Sequence, residues 1–341
     1  MAWITFQPKD NFNCTIYTGN GSTQAITGVG FQPDLVWGKR RVNSGGHHQV
    51  YDSVRGATKT IYVDGTWAEG TNSDALTSFD TDGFTTGGNG DFNSNGDAYV
   101  SWNWKMGTTS GLSGGTITPS SYSINATTGV GMYKYTGTGS NATIAHGLGV
   151  APKLVIVKRT DATSQWSVYH YEVGEAKHLA LDVKIAEVTS SNYWNDTAPT
   201  STVFSLGSGT DVNASGGTYI AYVYAEKRGF SRIGKYIGNN DSDGAFVFTG
   251  FKPGFLITKS ISSGDTQWMM RDKKRGFNGA IKTLYADSNE QETSADSVEL
   301  LSNGFVFRDN SSAQNAVAGY AFWAFAEEPL VASNKDVVTA G

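Results

Sequence analysis

Tyr17-Thr18-Gly19-Asn20-Gly21 returns as Tyr135-Thr136-Gly137-Thr138-Gly139 and again as Tyr236-Ile237-Gly238-Asn239. Each stretch is followed by a proline, an apolar run and a lysine, and later by an aromatic strand. The proline runs are Pro33–Lys39, Pro152–Lys158 and Pro253–Lys259, and the closing strands are Tyr99–Trp104, Tyr219–Tyr224 and Tyr320–Phe325. The prolines lie 119 and 101 residues apart (33 to 152 to 253), and the closing tyrosines lie 120 and 101 apart. Three markers in one order at matched spacing indicate three tandem repeats of about a hundred residues, the size of a small domain.

The apolar runs are short, rich in β-branched and aromatic residues, and bounded by clusters of Gly, Asn, Asp and Ser. This pattern predicts an all-β fold with three tandem antiparallel β-sandwich or jelly-roll-like domains. In the first closing strand, Val100, Trp102 and Trp104 share one face. We expect this face to be core in every repeat, and we expect each repeat to have its own separate core.

The markers also set the domain boundaries. The predicted sandwiches span residues 1–106, 132–228 and 229–330, and a polar mobile tail spans 331–341. Residues 107–131 are rich in Gly, Ser and Thr and are predicted to be a linker, in which Ser121–Ile124 could open repeat 2. A long first linker predicts a first domain that moves independently of the other two.

Composition excludes several classes of function. The net charge of −5 argues against a general nucleic-acid binder, which would show a basic face. Cys14 is the one cysteine, so no disulfide forms within the chain, and its place in an apparent strand favours a small core residue over a nucleophile. No run of about eighteen apolar residues occurs, so no membrane insertion is expected. The first residues lack the pattern of a secretion signal.

The repeat resembles that of virion structural proteins of tailed bacteriophages, abundant in viruses of marine bacteria and cyanobacteria and often labelled tail fibre or capsid-surface proteins. The stretches that support the resemblance are Gly28–Arg41, Val50–Lys59 and Asn95–Lys105 in repeat 1, Gly147–Arg159 and Ala214–Glu226 in repeat 2, and Tyr320–Pro329 in repeat 3. The resemblance covers nearly the whole chain. It implies a virion protein that is assembled in the host cytoplasm and released by lysis, and it implies no catalytic or ligand residues.

One loop has the spacing of a calcium site. Asp91, Asn93, Asn95 and Asp97 stand at positions 1, 3, 5 and 7 of a calcium-binding loop, with glycine at position 6. Trp102 stands at position 12, where such a loop has a carboxylate. We therefore interpret the segment as a polar turn and predict no metal and no cofactor, with these four residues as the weak calcium candidate.

Two further sets of residues are candidate contacts. Lys39, Arg40 and Arg41 end a strand and could meet an acidic neighbouring protein, although a strand end is often simply solvated. The loop aromatics Trp67, Tyr193 and Trp194 could stack on sugar rings or could cap the end of a sandwich.

The sequence predicts a non-enzymatic structural protein on the surface of a phage particle, as a tail fibre, a tail-attached subunit or a capsid decoration. The expected partners are other virion proteins, several copies or a homo-oligomer on the particle, and a host-surface glycan. The alternative is a carbohydrate-binding module or a glycan-degrading enzyme. Asp80 and Asp82 could form the acid pair of such an enzyme, but Asp82-Gly83 followed by Phe84 is typical of a turn that leads into a strand.

Overall fold

The computed structural model describes residues 6–276, 280–294 and 298–328. The predicted mobile tail, 331–341, lies outside these residues. Every strand pair is antiparallel, and the few helices have a single turn, which confirms the predicted all-β class. Each repeat contributes one larger and one smaller sheet, and in the described residues no sheet mixes strands of two repeats.

Repeat 1 contains a short 3-10 helix (Pro8–Asp10), β1 (Phe12–Thr18), β2 (Gln24–Ile26), β3 (Leu35–Arg40), β4 (Gln49–Asp52), β5 (Lys59–Tyr62), β6 (Gly70–Thr71), β7 (Leu76–Asp80), β8 (Gly83–Thr86), α1 (Gly90–Asn93) and β9 (Ala98–Trp104). Its larger sheet has the order β1-β9-β3-β4-β5-β6, and its smaller sheet has the order β2-β8-β7.

Repeat 2 contains β10 (Ser121–Asn125), β11 (Val130–Thr136), β12 (Ala142–Ala145), β13 (Leu154–Arg159), β14 (Trp166–His170), β15 (Lys177–Ala180), β16 (Val188–Thr189), α2 (Ser191–Trp194), β17 (Val203–Leu206), α3 (Thr210–Asn213) and β18 (Thr218–Tyr224). Its larger sheet has the order β10-β11-β18-β13-β14-β15-β16, and β12 pairs with β17.

Repeat 3 contains β19 (Ser231–Ile237), β20 (Phe246–Phe248), β21 (Lys252–Ser260), β22 (Met269–Asp272), β23 (Thr283–Tyr285), β24 (Val298–Leu301), β25 (Gly304–Phe307) and β26 (Gly319–Glu328). Its larger sheet has the order β19-β26-β21-β22-β23, and its smaller sheet has the order β20-β25-β24. The closing aromatic strand is therefore an inner strand of the larger sheet in all three repeats.

One core is shared by the three larger sheets. The closing aromatics that meet in it are Trp102 and Trp104, Tyr222 and Tyr224, and Trp323 and Phe325. Phe12 of repeat 1 stacks on Phe325 of repeat 3, with ring centroids 4.9 Å apart. The face predicted to be core is core, but the expectation of three separate cores is wrong. The alternation in a strand identifies an apolar face without identifying what covers it.

The opposite face of each larger sheet packs against the smaller sheet of the same repeat. These three outer cores centre on Phe84, Phe204 and Phe305, which lie at matching places in the smaller sheets. Each larger sheet is therefore apolar on both faces, one toward its own repeat and one toward the other two. The strands after the three prolines, β3, β13 and β21, are buried on both faces because they lie inside the larger sheets.

Hydrogen bonds between repeats follow a cyclic order. The indole nitrogen of Trp166 in repeat 2 donates to the carbonyl oxygen of Tyr62 in repeat 1 (2.9 Å). That of Trp268 in repeat 3 donates to the carbonyl of Ala180 in repeat 2 (2.7 Å). In repeat 1, His48 takes the place of these tryptophans at the start of the second strand. The three repeats therefore surround a pseudo-threefold axis.

The segment 107–131 is packed against repeats 1 and 2, so it does not act as a free linker. The Ser123 hydroxyl donates to the Asp34 carboxylate of repeat 1 (3.3 Å), and the backbone nitrogen of Ile117 donates to the carbonyl of Thr143 in repeat 2 (2.9 Å). Ile117 is buried. The predicted opening strand is β10, which pairs with β11 along the edge of the larger sheet. The shared core and these contacts contradict an independently mobile first domain.

The repeated Tyr-Thr-Gly motif is part of a latch that recurs in each repeat. Tyr17 stacks on Tyr99 (5.1 Å between ring centroids) and donates to the carbonyl of Phe92 (2.7 Å). The side chain of Asn93 joins three segments, accepting from the backbone nitrogen of Asn20 (3.0 Å) and donating to two carbonyls. The equivalent residues are Tyr135, Tyr219 and Asn213 in repeat 2, and Tyr236, Tyr320 and Asn315 in repeat 3.

The glycine of the motif is required by close packing in this latch. A Cβ atom at Gly19 would lie 2.2 Å from the carbonyl oxygen of Ser94. The matching distances are 2.3 Å from Ala214 at Gly137 and 2.1 Å from Ala316 at Gly238. Any larger residue would push the two segments apart, which explains why the motif returns in every repeat.

Candidate functional site

Trp67 lies on the surface with about half of its side chain exposed (48%), whereas the other described tryptophans are buried. Two aromatic rings support it from behind. The ring centroids of His47 and Tyr62 lie 5.1 Å and 5.6 Å from that of Trp67, both edge-on at about a right angle. His47 and Tyr62 also meet edge-on at 5.3 Å. Edge-to-face packing of this kind fixes the indole plane, while about half of the side chain stays exposed to solvent.

The Asp64 carboxylate fixes the orientation of His47. One carboxylate oxygen lies 2.9 Å from His47 Nδ1, and the other accepts a hydrogen bond from the backbone nitrogen of His48 (3.0 Å). The hydrogen bond to Asp64 raises the pKa of His47 above its usual value of 6.5. The imidazole therefore gains a proton more readily at the edge of the aromatic cluster.

The loop that bears Trp67 is clamped to repeat 2. The Lys158 ammonium and the backbone nitrogen of Ser164 both donate to the carbonyl oxygen of Thr66 (2.9 Å each). The backbone nitrogen of Glu69 donates to the carbonyl of Thr160 (2.9 Å). Because the loop is held on both sides of Trp67, the aromatic cluster (Trp67, Tyr62 and His47) is preorganised.

The exposed indole and the polar groups beside it have the chemistry of a saccharide contact. An aromatic face packs against the C–H groups of a sugar ring, and nearby polar side chains orient the hydroxyls. In the described part of the chain, no serine, threonine or cysteine side chain hydrogen bonds to the His47 ring.

The other two predicted stacking residues lie in different environments. Trp194 is 2% exposed and belongs to the outer core of repeat 2, so it cannot stack on a ligand. It ends α2 and packs edge-on against Tyr169. Tyr193 is half-buried beneath His178, with ring centroids 3.4 Å apart and planes inclined by 16°. Of the two roles left open for these aromatics, Trp194 fills the one of a structural cap.

The basic strand end is an internal contact. Lys39 is fully buried, and its ammonium donates to the carbonyls of Arg40 and of Glu290 in repeat 3 (2.9 Å each). Arg41 forms a bidentate pair with Glu292, also in repeat 3, at 2.9 Å for both bonds. These side chains bind this chain rather than an acidic neighbour. The prediction failed because a charged strand end looks the same in sequence whether water or another repeat covers it.

Lys158 and Lys259 occupy the position of Lys39 in the other two repeats, and both are buried. Lys158 donates to carbonyls of repeats 1 and 2, and Lys259 donates to Ser260 and Ser263 in its own repeat. Burial lowers the pKa of each of the three lysines to about 8. The lysine that ends each proline run is thus a structural tie.

Two of the four calcium candidates, Asn93 and Asp97, have hydrogen-bond partners elsewhere in the chain, and Asn95 is exposed. Asn93 is fully buried in the latch, where its side-chain oxygen already accepts from Asn20. Asp91 lies in the first turn of α1, and Asp97 contacts Asn43 (3.0 Å) and Arg40 (3.4 Å). Among the residues described, no group of three His, Cys, Asp or Glu side chains could hold a metal ion. The spacing includes the latch asparagine, which recurs with an aspartate two residues before it in repeat 2 (Asp211) and without the other candidates in repeat 3.

The remaining groups considered for catalysis also have structural partners. Asp80 accepts from the hydroxyls of Ser78 (2.8 Å) and Thr85 (2.7 Å). Asp82 accepts from the backbone nitrogens of Gly28 and Gly30, which lower its pKa. Cys14 is buried in the shared core, and burial raises the pKa of its thiol.

Sequence analysis found Trp67 but missed His47, Tyr62 and Asp64 as its partners. The pair His47-His48 was visible, yet its two rings face different surroundings: His47 faces the loop, and His48 accepts from Trp37 in the interior (3.0 Å). The signal that was available is the carboxylate two residues after the end of β5. Asp182 and Asp287 stand at the same place, and each accepts from the backbone nitrogen at the start of the second strand.

A family profile described as a domain of unknown function (DUF7483) matches residues 7–329. The match runs through all three repeats as one unit, in keeping with their shared core. No curated protein and no solved structure shows a significant match to the chain. None of the helices within the described ranges is both long and apolar enough to span a membrane. The chain belongs to the DUF7483 family.

Proposed function

We propose that the chain is a non-enzymatic structural protein on the surface of a tailed-phage particle, and that it holds a host-surface glycan at Trp67. The observation behind the glycan role is the exposure of Trp67 on a rigid aromatic support. An aromatic side chain that is exposed and held in a fixed orientation can stack on a sugar ring. The clamped loop means that little ordering entropy is lost when a sugar binds.

The particle role is supported by the resemblance of the repeats to virion proteins and by the way the chain uses its polar groups. Lys39 and Lys158 bond to a neighbouring repeat, and the Asp52 and Asp272 carboxylates accept from one. The latch asparagines tie segments together within each repeat. A scaffold of this kind suits a protein that must keep its shape on a particle. Tail and capsid positions both fit the proposal.

The test is glycan binding by the purified full chain. Lipopolysaccharide or capsular glycan of the host is passed over immobilised protein, and both retention and the release of fragments are measured. We expect retention without fragments, and we expect Trp67→Ala to weaken it by about tenfold or more, since stacking on one ring contributes about 1–3 kcal/mol.

The matched control is Val188→Ala, which removes exposed apolar surface from β16 in repeat 2. This variant should retain the glycan as well as the unchanged protein does. Fragment release that stops on changing Asp80 or Asp82 would establish the glycan-degrading alternative instead. A carbohydrate-binding module would bind in the same way but would be missing from particles, so particle composition separates these two functions.

A further inference from the structure

The first strand of the larger sheet has different neighbours in repeats 2 and 3. In repeat 2, β10 covers the outer edge of β11, and the backbone nitrogen of Ser120 donates to the carbonyl of Lys134 (2.8 Å). Lys235 in β19 is equivalent to Lys134 in β11. Each lysine pairs with the residue that follows the first tyrosine of the closing strand, Ala321 in repeat 3 and Ile220 in repeat 2. Within the described residues, no strand pairs with β19 on that side. The Glu226 carboxylate accepts from the edge nitrogen of Ile233 (3.1 Å), so the part of this edge that can meet an extended chain begins at Gly234. An unpaired edge presents backbone donors and acceptors to any extended chain that approaches.

A groove of about 340 Å³ lies between this edge and β20 of the smaller sheet. Its lining is mixed, with the Lys235 ammonium 3.6 Å from the Glu172 carboxylate of repeat 2 and three exposed apolar side chains along the rim. Phe246 (50% exposed), Phe248 (60%) and Ile237 (56%) lie along it, and they are among the few large apolar side chains that the structure leaves exposed. A cluster of this kind marks an interaction site more often than a solvated surface.

Repeat 1 has no such rim. Its β2 strand has Ala25 where β20 has Phe246, as shown by their partners in the smaller sheets, Thr85 and Val306. In the described part of the chain the edge of β1 is also unpaired, but it lacks the aromatic wall. The aromatic rim is a feature of repeat 3 and does not follow from the repeated fold alone.

In one cross-strand pair, the large and the small residue change places between repeats 2 and 3. In repeat 2, β11 has Tyr133 opposite Ala221, and the Tyr133 hydroxyl donates to the carbonyl of His146. In repeat 3 the edge strand has Gly234 opposite Phe322. A Cβ at Gly234 would lie 2.9 Å from the Phe322 ring, so this ring occupies the space over the glycine. The edge strand is bare at this point, and Phe322 forms the floor of the groove.

We propose that the groove binds an extended strand of a separate polypeptide, which adds to β19 as β10 adds to β11. The occupant is identified by the template that this chain itself contains. β10 places Tyr122 opposite Tyr133, so the incoming strand places an aromatic residue opposite Gly234, where it covers the Phe322 floor. An aromatic side chain lying across a strand glycine is a recurrent way to stabilise such a pair. Phe246 and Phe248 form the outer wall, and backbone pairing supplies the rest of the binding energy.

The test uses the full chain and a labelled peptide of residues 117–126, which contains β10, as the probe. Fluorescence anisotropy measures binding. We expect saturable binding that weakens by about tenfold when the peptide's Tyr122 is replaced by Ser, and by a similar factor in the protein variant Phe246→Ser/Phe248→Ser. Both phenylalanines are exposed, so the variant should keep its melting temperature. Val188→Ser, at an exposed apolar residue away from the groove, should bind as the unchanged protein does.

A second protein variant tests the backbone pairing. Lys235→Pro removes an edge N–H donor, which proline allows on an outer strand, and should also weaken binding. Three outcomes would overturn the proposal. The first is that the peptide does not bind. The second is binding that both groove variants leave unchanged, which would mean that the peptide has displaced β10 in repeat 2. The third is a concentration-dependent dimer that is lost in Phe246→Ser/Phe248→Ser. The last would assign the groove to a second copy of this chain.

Discussion

The indole nitrogen of Trp102 in repeat 1 donates a 3.0 Å hydrogen bond to the carboxylate of Asp272 in repeat 3. The same carboxylate oxygen accepts from the Arg275 guanidinium (2.6 Å). The buried Asp272–Arg275 ion pair of repeat 3 therefore receives a further hydrogen bond from repeat 1. The relationship recurs one step around the axis. Asp52 accepts from Arg55 (2.6 Å) within repeat 1 and from the Tyr222 hydroxyl (2.7 Å) of repeat 2. The third position has His170, 3.3 Å from the carbonyl of Phe322.

Trp102→Ala should destabilise all three repeats together. The substitution removes a fully buried indole from the shared core and one partner of the Asp272 carboxylate. A loss of about 3–5 kcal/mol in the free energy of unfolding is expected for truncating a buried aromatic of this size. Calorimetry of the unchanged chain should show one cooperative transition, shifted to lower temperature in the variant. Separate transitions, with only the first one shifted, would mean that the repeats unfold independently.

Calcium chelation should leave the melting temperature unchanged, because the Asn93 side chain is committed to the latch. Asn93→Asp should instead destabilise the chain by about 3 kcal/mol, since it sets a buried carboxylate against two carbonyl oxygens. Thermal unfolding with and without chelator measures both effects. A fall of several degrees in chelator alone, or an Asn93→Asp variant stabilised by calcium, would show that the loop binds the ion.

Asp287 should make the stability of the fold depend on pH, and replacing it with asparagine should remove this dependence. Burial raises the pKa of this carboxyl to about 6, against the hydrogen bond from the Trp268 backbone that favours ionisation. The folded state therefore binds the proton more tightly than the unfolded state, and stability falls as the pH rises from about 4 to about 6.

Asp287→Asn keeps the acceptor for Trp268 without the charge. Its free energy of unfolding should match that of the unchanged protein near pH 4 and exceed it at pH 7 by up to about 2 kcal/mol, allowing for partial exposure. Denaturant titrations at the two pH values provide the comparison. Equal stability at pH 7, or an advantage that appears only at pH 4, would refute the assignment.

The three repeats, the all-β class and the apolar face of the closing strands were predictable, because they depend on hydrophobic periodicity and turn residues, which are local features of the sequence. The packing between repeats was not predictable. In the sequence, Lys39 looks like any solvated lysine at the end of a strand. Only the three-dimensional arrangement brings the backbone carbonyl of Glu290 to its ammonium. Trp194 and Trp67 are likewise both loop aromatics in sequence, yet one caps an outer core and the other stays exposed.

The candidate site was partly predictable for the same reason. Trp67 could be singled out by its residue type and its place in a loop. Its support comes from His47, in the preceding hairpin, and from repeat 2 through Lys158. Contacts of this range depend on the pseudo-threefold arrangement, which the spacing of the markers does not encode.

The most direct test of the account is the density map of purified phage particles, combined with their protein composition. The account predicts that the chain is a stoichiometric component and that its compact three-repeat unit fits density on the outer surface of the tail or capsid, with Trp67 facing away from the particle. Absence of the chain from purified particles, or density in which Trp67 is covered by the coat, would contradict it.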